Sequence, residues 1–257
     1  MMSFNAQQKH FLRRAFCWIR ILKENDGDVE RFLMLLAIDI DQTICGSNAY
    51  EVYAHFHTVD LGLQIEPAAL QQLSSYRDFF FLPQVRAFRQ ANEKEWNASR
   101  HRAIATPWVI EAFAPIERAV QGVKLLSQLG TIRYYTARTA GVREATERWL
   151  ARYDFPEHQN VLCCSSIEQK ARVLAGSESQ DETIILIDDR GHSHFLTSLE
   201  RLKADESIQA LLPRLSIFAF GIMPDSLPHN SCCSLFALPS WYQSEEVTRR
   251  MNRSSSS

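Results

Sequence analysis

Asp39-Ile40-Asp41-Gln42-Thr43 follows directly on an apolar run, residues 32–38, that reads as a buried strand. In an extended segment residues two apart point to the same face, so two carboxylates emerge together where the run ends. Like charges this close beside an apolar strand repel, and a bound divalent cation or a shared proton relieves the cost. An acidic loop capping the next helix is the other reading, and one such motif does not choose between them.

Three more apolar runs end in reactive groups. The second closes on Tyr134-Tyr135-Thr136-Ala137-Arg138 just before a helical pattern. There the Thr136 hydroxyl and the backbone amide of Ala137 suit an anion, because the first amides of a helix lack internal partners; simple helix capping is the alternative. The third leads into Ser165-Ser166-Ile167-Glu168-Gln169-Lys170, with Lys170 in the first turn of a helix. A cation there opposes the macrodipole, which points to a strong neighbouring anion or else to a solvated lysine. The fourth ends in Ile187-Asp188-Asp189. Four consecutive runs thus deliver carboxylates, a hydroxyl, an ammonium and again carboxylates, which makes coincidence the weaker explanation. Hard oxygen ligands at this density suit Mg²⁺, with a substrate phosphate as a further ligand. The chemistry implied is metal-assisted phosphoryl transfer.

Positioning these groups requires a sheet. Five β-rich runs, 33–40, 131–135, 160–164, 183–187 and 215–220, are separated, from the second run on, by helical patterns at 142–153, 168–175 and 195–212. That alternation predicts an α/β fold, a parallel five-stranded sheet with helices on both faces, and reactive groups at the carboxyl ends of its strands. One interval breaks the rhythm: from Thr43 to Thr131 there are 88 positions (131 − 43), far more than one crossover helix needs. Helices at 67–79 and 84–103, punctuated by Pro83, Pro107 and Pro115, are expected in this insert. Phe79, Phe80, Phe81, Trp96 and Trp108 within it read as core packing ahead of a stacking surface. At the N-terminal end Phe11, Ala15, Trp18 and Leu22 recur at helical spacing among Lys9, Arg13, Arg14, Arg20 and Lys23. An amphipathic helix packed on the domain, an organelle-targeting helix and a membrane-surface contact all fit that pattern.

A length of 257 residues allows one large domain or a core with one substantial insertion. Hydrophobic residues at 46% and charged residues at 23% exclude a disordered or collagen-like chain. The longest apolar run, seven residues at 32–38, falls short of the roughly 20 that a membrane span needs. Lys plus Arg at 28 against Asp plus Glu at 30 leaves no basic field for nucleic acid. The six cysteines form no C-x-x-C spacing and read as reduced thiols of a cytoplasmic protein.

The ordered set of strand-end motifs resembles the haloacid dehalogenase superfamily, from about residue 33 to 190 with the insert excepted. The resemblance implies a Rossmann-like core at 31–45 and 126–250, a helical cap at 46–125, an N-terminal helix within 1–30 and a disordered tail at 251–257. It makes Asp39 the nucleophile that forms an aspartyl-phosphate, and Asp41 the acid and base that protonates the leaving oxygen and then activates water. Thr136, Ala137 and Lys170 would hold the phosphoryl group. Mg²⁺ would take the Asp39 carboxylate, the Asp41 backbone carbonyl and Asp188, with Asp189 direct or through water. Aspartate at position 41 is the phosphatase and phosphomutase pattern, so a Mg²⁺-dependent phosphomonoester hydrolase of a small phosphorylated metabolite is the expected activity. A phosphotransferase or mutase is its nearest variant, and a catalytically idle binding module is the alternative of a different class. Gln42 departs from the pattern, since glycine is common there. Thr136 to Lys170 spans only 34 positions (170 − 136), so the long insert is the one candidate for a lid.

Overall fold

The computed structural model describes residues 34–73, 76–164, 166–176, 183–189, 196–202, 204–223 and 233–243. The helix expected within 1–30, the tail at 251–257 and Ser165 lie outside the described residues.

Among the described residues six strands run in chain order as β1 (Met34–Asp39), β2 (Thr131–Thr136), β3 (Val161–Cys163), β4 (Thr183–Asp188), β5 (Leu215–Phe220) and β6 (Ser234–Leu238). All pairs are parallel, in the spatial order β3-β2-β1-β4-β5-β6. Alternation along β1 explains the layers. Leu35 and Ala37 enter a core cluster on one face with Tyr135, Ala171, Leu174, Leu186 and Ile217. Leu36 and Ile38 enter the cluster on the other face with Ile132, Tyr134, Trp149 and Leu150. Each buried Leu or Ile contributes about 1.5–3 kcal/mol, and because both faces are covered the strand reads as an unbroken apolar run.

The five-stranded expectation is corrected to six. β6 pairs with β5 from Ser216↔Ser234 to Phe220↔Leu238. Its five residues are mostly half-buried at the sheet edge and lie between Pro228 and Pro239. So short a run bounded by prolines lacks the length and periodicity that mark a strand.

Among the described residues seven helices lie between β1 and β2: α1 (Ala49–Asp60), α2 (Pro67–Gln71), α3 (Tyr76–Phe81), α4 (Pro83–Ala91), α5 (Glu93–Ile104), α6 (Pro107–Ala112) and α7 (Ala119–Leu126). Pro67, Pro83 and Pro107 open their helices, where a missing N–H costs nothing. The single helix expected at 84–103 is two, broken at Asn92, whose Nδ2 donates to the Phe88 carbonyl at 3.3 Å. The insert has a small core of its own around Phe79, Val85 and Trp96. Its two ends do not stand apart from the sheet: Val52, Phe56, Val109, Ile110 and Phe113 belong to the same cluster as Leu36 and Ile38. Phe79 and Trp96 are buried as expected, whereas Phe81 and Trp108 are 62% and 44% exposed.

After β2 come α8 (Arg143–Arg152), α9 (Ile167–Ala175), α10 (Leu196–Leu202) and α11 (Glu206–Leu211). The helix expected at 195–212 is therefore also divided. Asp205 caps α11, its carboxylate accepting from the Ser207 amide at 3.0 Å, and a side chain that competes for backbone donors in this way starts a new helix. No helix among the described residues is long and apolar enough to cross a membrane.

Candidate active site

The chain goes from β1 to β2 and β3 on one side, then returns to β4 on the other side of β1. Such a reversal opens a crevice at the carboxyl ends of the two strands involved. Asp39 ends β1 and Asp188 ends β4, with Ile38 in register with Ile187. Parallel pairing alone therefore brings two carboxylates side by side.

Lys170 lies between them. Its Nζ donates to Asp39 Oδ1 at 3.0 Å and to Asp188 Oδ2 at 2.6 Å. The lysine is the fourth residue of α9, whose first turn is fixed by the Ser166 hydroxyl accepting from the Gln169 amide. Its unfavourable place at the positive end of a helix is offset by the two carboxylates. Burial opposes its charge, yet Asp39 and Asp188 hold the Lys170 ammonium above its usual value. Asp189 completes the group: carboxylate oxygens of Asp39, Asp188 and Asp189 lie within 4.8 Å of one another. The Asp189 amide donates to Thr43 Oγ1 at 3.1 Å, and Thr43 Oγ1 donates to Asp39 Oδ2 at 3.5 Å, so this threonine ties the two strand ends together. Trp241 Nε1 in turn donates to the Thr43 carbonyl at 2.7 Å.

Among the described residues, the Lys170 ammonium is bonded to two of these three carboxylates. Burial, against the pull of Lys170, pushes the Asp39 carboxyl up to about 8, and Asp188 and Asp41 add to the rise. A hard divalent cation fits this donor set, which is all oxygen and anionic.

Asp41 belongs to a second group. The loop after β1 makes one tight turn, with the Ile40 carbonyl accepting from the Ile44 and Cys45 amides at 3.0 Å each. Gln42 sits in it at φ 64°, left-handed backbone where a side chain is strained and glycine is at ease. This turn aims the Asp41 carboxylate at the end of β2. Thr136 Oγ1 donates to Asp41 Oδ2 at 3.0 Å and accepts from the Arg138 amide at 3.1 Å. The Arg138 guanidinium then takes both carboxylate oxygens, Nη2 to Oδ1 at 2.7 Å and Nε to Oδ2 at 3.1 Å. Although burial works against it, Asp41 and Cys45 keep this guanidinium protonated. Burial pushes the Cys45 thiol up to about 12 despite Arg138, so it stays a thiol and not a nucleophile.

The expected residues thus fall into two adjoining sets. Asp39, Lys170, Asp188 and Asp189 form one; Asp41 and Thr136 form the other, joined to the first through the one intervening residue Ile40. Ala137 is exposed in the loop beyond Thr136. Sequence reasoning missed Arg138, Thr43 and Thr146. Arg138 follows Thr136 by two positions and had no signal beyond that adjacency.

No family model and no curated protein matches the chain. Solved structures similar to it include a HAD family hydrolase from Deinococcus radiodurans R1 with bound phosphate and sodium, at 12% identity and a TM-score of 0.47 over 87% of this chain and 98% of that one. A HAD-superfamily hydrolase, subfamily IA, variant 1, from Geobacter sulfurreducens PCA is 11% identical, with a TM-score of 0.47 over 88% and 99% of the two chains. A haloacid dehalogenase-like family hydrolase from Xanthomonas campestris is 13% identical, with a TM-score of 0.46 over 88% and 99%. These are likenesses of chain path at low identity. The side chains themselves carry the chemistry.

Proposed function

We propose that the protein is a haloacid dehalogenase-like phosphomonoester hydrolase that acts on a small phosphorylated metabolite, in the cytoplasm, through an aspartyl-phosphate. The observation that carries this reading is Asp39 at the end of the central strand, bonded to a lysine that also grips Asp188, with Asp189 beside them. Asp39, Asp188 and Asp189 would hold Mg²⁺, together with the Asp41 backbone carbonyl. Bound there, the cation would supply positive charge that favours the ionised form of Asp39 and offsets charge on the transferring group.

The chain's own residues do the rest. An Asp39 carboxylate oxygen attacks phosphorus as the bond to the leaving oxygen breaks, while Lys170 and the Ala137 amide hold the phosphoryl oxygens in line, joined by the Thr136 hydroxyl when its proton turns from Asp41 to the substrate. Asp41, a carboxylate against Arg138 in the free protein, would take up a proton as the substrate anion binds and give it to the leaving oxygen. As a carboxylate it then takes a proton from water, which attacks the phosphorus of the aspartyl-phosphate and frees Asp39. A Mg²⁺-dependent phosphate-release screen over sugar phosphates, nucleotides and phospho-amino acids tests the reading, and activity on none of them would sink it. Chelator should abolish turnover and Ca²⁺ should inhibit, because its longer and looser coordination misplaces the nucleophile. Undiminished rates in chelator would remove the metal from the mechanism.

The insert is proposed as the lid that selects the substrate, within a cap at 46–125. Asp60, Ala105 and Thr106 line one cavity, so the chain can be rejoined there by a short Gly-Ser linker in place of 62–104. That deletion keeps α1, α6 and α7 on the core they share with the sheet. The variant should still hydrolyse an aryl phosphate while losing preference among metabolites. If it folds and keeps the parent's substrate ranking, specificity lies elsewhere.

A further inference from the structure

The Arg138–Asp41 pair is asymmetric in its access to solvent: the arginine side chain is 2% exposed and the aspartate 40%. Every guanidinium nitrogen is engaged inside the protein. Nε bonds both Asp41 oxygens at 3.2 and 3.1 Å, and Nη2 bonds Asp41 Oδ1 at 2.7 Å and Cys45 Sγ at 3.2 Å. Nη1 donates to Thr146 Oγ1 at 3.1 Å, and Thr146 is anchored by its own bond to the Val142 carbonyl at 2.9 Å. The Phe113 ring lies against the same group, 5.8 Å from its carbon to the ring centroid.

A guanidinium so enclosed is committed to protein partners, whereas the carboxylate it grips is open on its other side. Its planar fork fixes both the position and the plane of that carboxylate, which a point charge cannot do. Thr136, bonded to the same oxygen that Nε reaches, adds a third restraint. Resting on the acid and base role proposed for Asp41, we infer that Arg138 is a positioning residue that holds the Asp41 carboxylate aimed at the leaving oxygen, with Thr146 holding Arg138 in turn. The proton still passes between Asp41 and the leaving oxygen; Arg138 neither gives nor takes it.

A leaving group that needs a proton separates this role from mere support of the fold. Up to phosphorylation of Asp39, kcat/KM for an alkyl phosphate depends on protonation of the leaving oxygen, and kcat/KM for 4-nitrophenyl phosphate hardly does. Arg138→Lys keeps a positive charge but loses the fork. It should lower kcat/KM for the alkyl phosphate by about ten-fold or more while leaving the aryl phosphate within roughly three-fold. Thr146→Val, which removes only the hydroxyl that steadies Nη1, should show the same selectivity at smaller size, and it decides the question if Arg138→Lys does not fold. Equal losses on both substrates, or no loss on either, would overturn the inference. Asp41→Asn on the same two substrates keeps the failures apart. If it is selective and the Arg138 and Thr146 variants are not, the inference fails and the acid role stands. If Asp41→Asn is itself unselective, the acid role fails and takes the inference with it.

Discussion

Asp39→Asn should abolish turnover and leave no covalent adduct, whereas Asp41→Asn should turn over slowly and accumulate one. A neutral amide is a poor nucleophile and a weak ligand for a hard cation. Fold loss does not explain the first result, because Lys170 keeps its 2.6 Å partner Asp188 when Asp39 is replaced. At Asp41 the metal ligand proposed is the backbone carbonyl, which the substitution leaves in place. Protonation of the leaving oxygen and activation of water should each slow by about 10²–10⁴-fold. With a good leaving group the first of these matters little, so phosphorylation of Asp39 outruns its hydrolysis. Intact-protein mass spectrometry after acid quench should then show the phosphorylated Asp41 variant and an unmodified Asp39 variant. Like behaviour of the two, or appreciable turnover by Asp39→Asn, would mean that nucleophile and acid are misassigned.

The half of the site built from Asp39, Lys170 and Asp188 was legible because each residue terminates an apolar run or opens the next helix. Parallel pairing turns such positions into neighbours at one sheet edge. Register does that work without any side-chain detail. In the half built on Asp41, the aspartate and Thr136 were legible as strand-end residues and their contact with Arg138 was not. Arg138 is 97 positions from Asp41, and nothing in the order of residues marks which arginine the fold will bury. The expectation that Asp39 and Asp41 share one environment rested on a continuing strand. The chain instead leaves the strand in a turn closed on the Ile40 carbonyl, with Gln42 left-handed within it, and the Asp41 side chain bonds Thr136 and Arg138 at the end of β2. The unusual residue was visible in the sequence, and the backbone conformation it accepts was not. The same distinction holds in the fold: long buried strands were read within a residue or two, while β6 and the breaks at Asn92 and Asp205 depend on edge pairing and local capping bonds.

Those two partnerships also predict opposite stabilities for substitutions that look alike. Asp41→Asn removes the negative charge from a buried guanidinium and turns the new amide's N–H donors toward the arginine's own. Breaking a buried pair by removing one partner costs about 3–5 kcal/mol. Asp41 is 40% exposed, which admits water and places the expectation at the low end. At about 3 kcal/mol, and roughly 2–4 °C per kcal/mol for a chain of this size, Tm should fall by about 6–12 °C. Asp39→Asn should behave otherwise. Its carboxyl is held up to about 8 chiefly by burial, so in metal-free protein the ionised form is disfavoured by the fold. A group whose folded value lies above its unfolded value loses stabilisation as pH rises through the folded value, and a neutral amide has no such loss. At pH 8 and above, in chelator, Asp39→Asn should therefore melt no lower than the parent. Adding Arg138→Gln to Asp41→Asn removes the stranded charge and lets two amides pair, and it should recover most of the lost Tm without recovering turnover. Thermal unfolding of the parent, both single variants and the double variant, in chelator at pH 8, reads all of this in one set. An Asp41→Asn variant that melts with the parent, or a double variant no more stable than the single, would show that the Arg138–Asp41 pair contributes little to the fold.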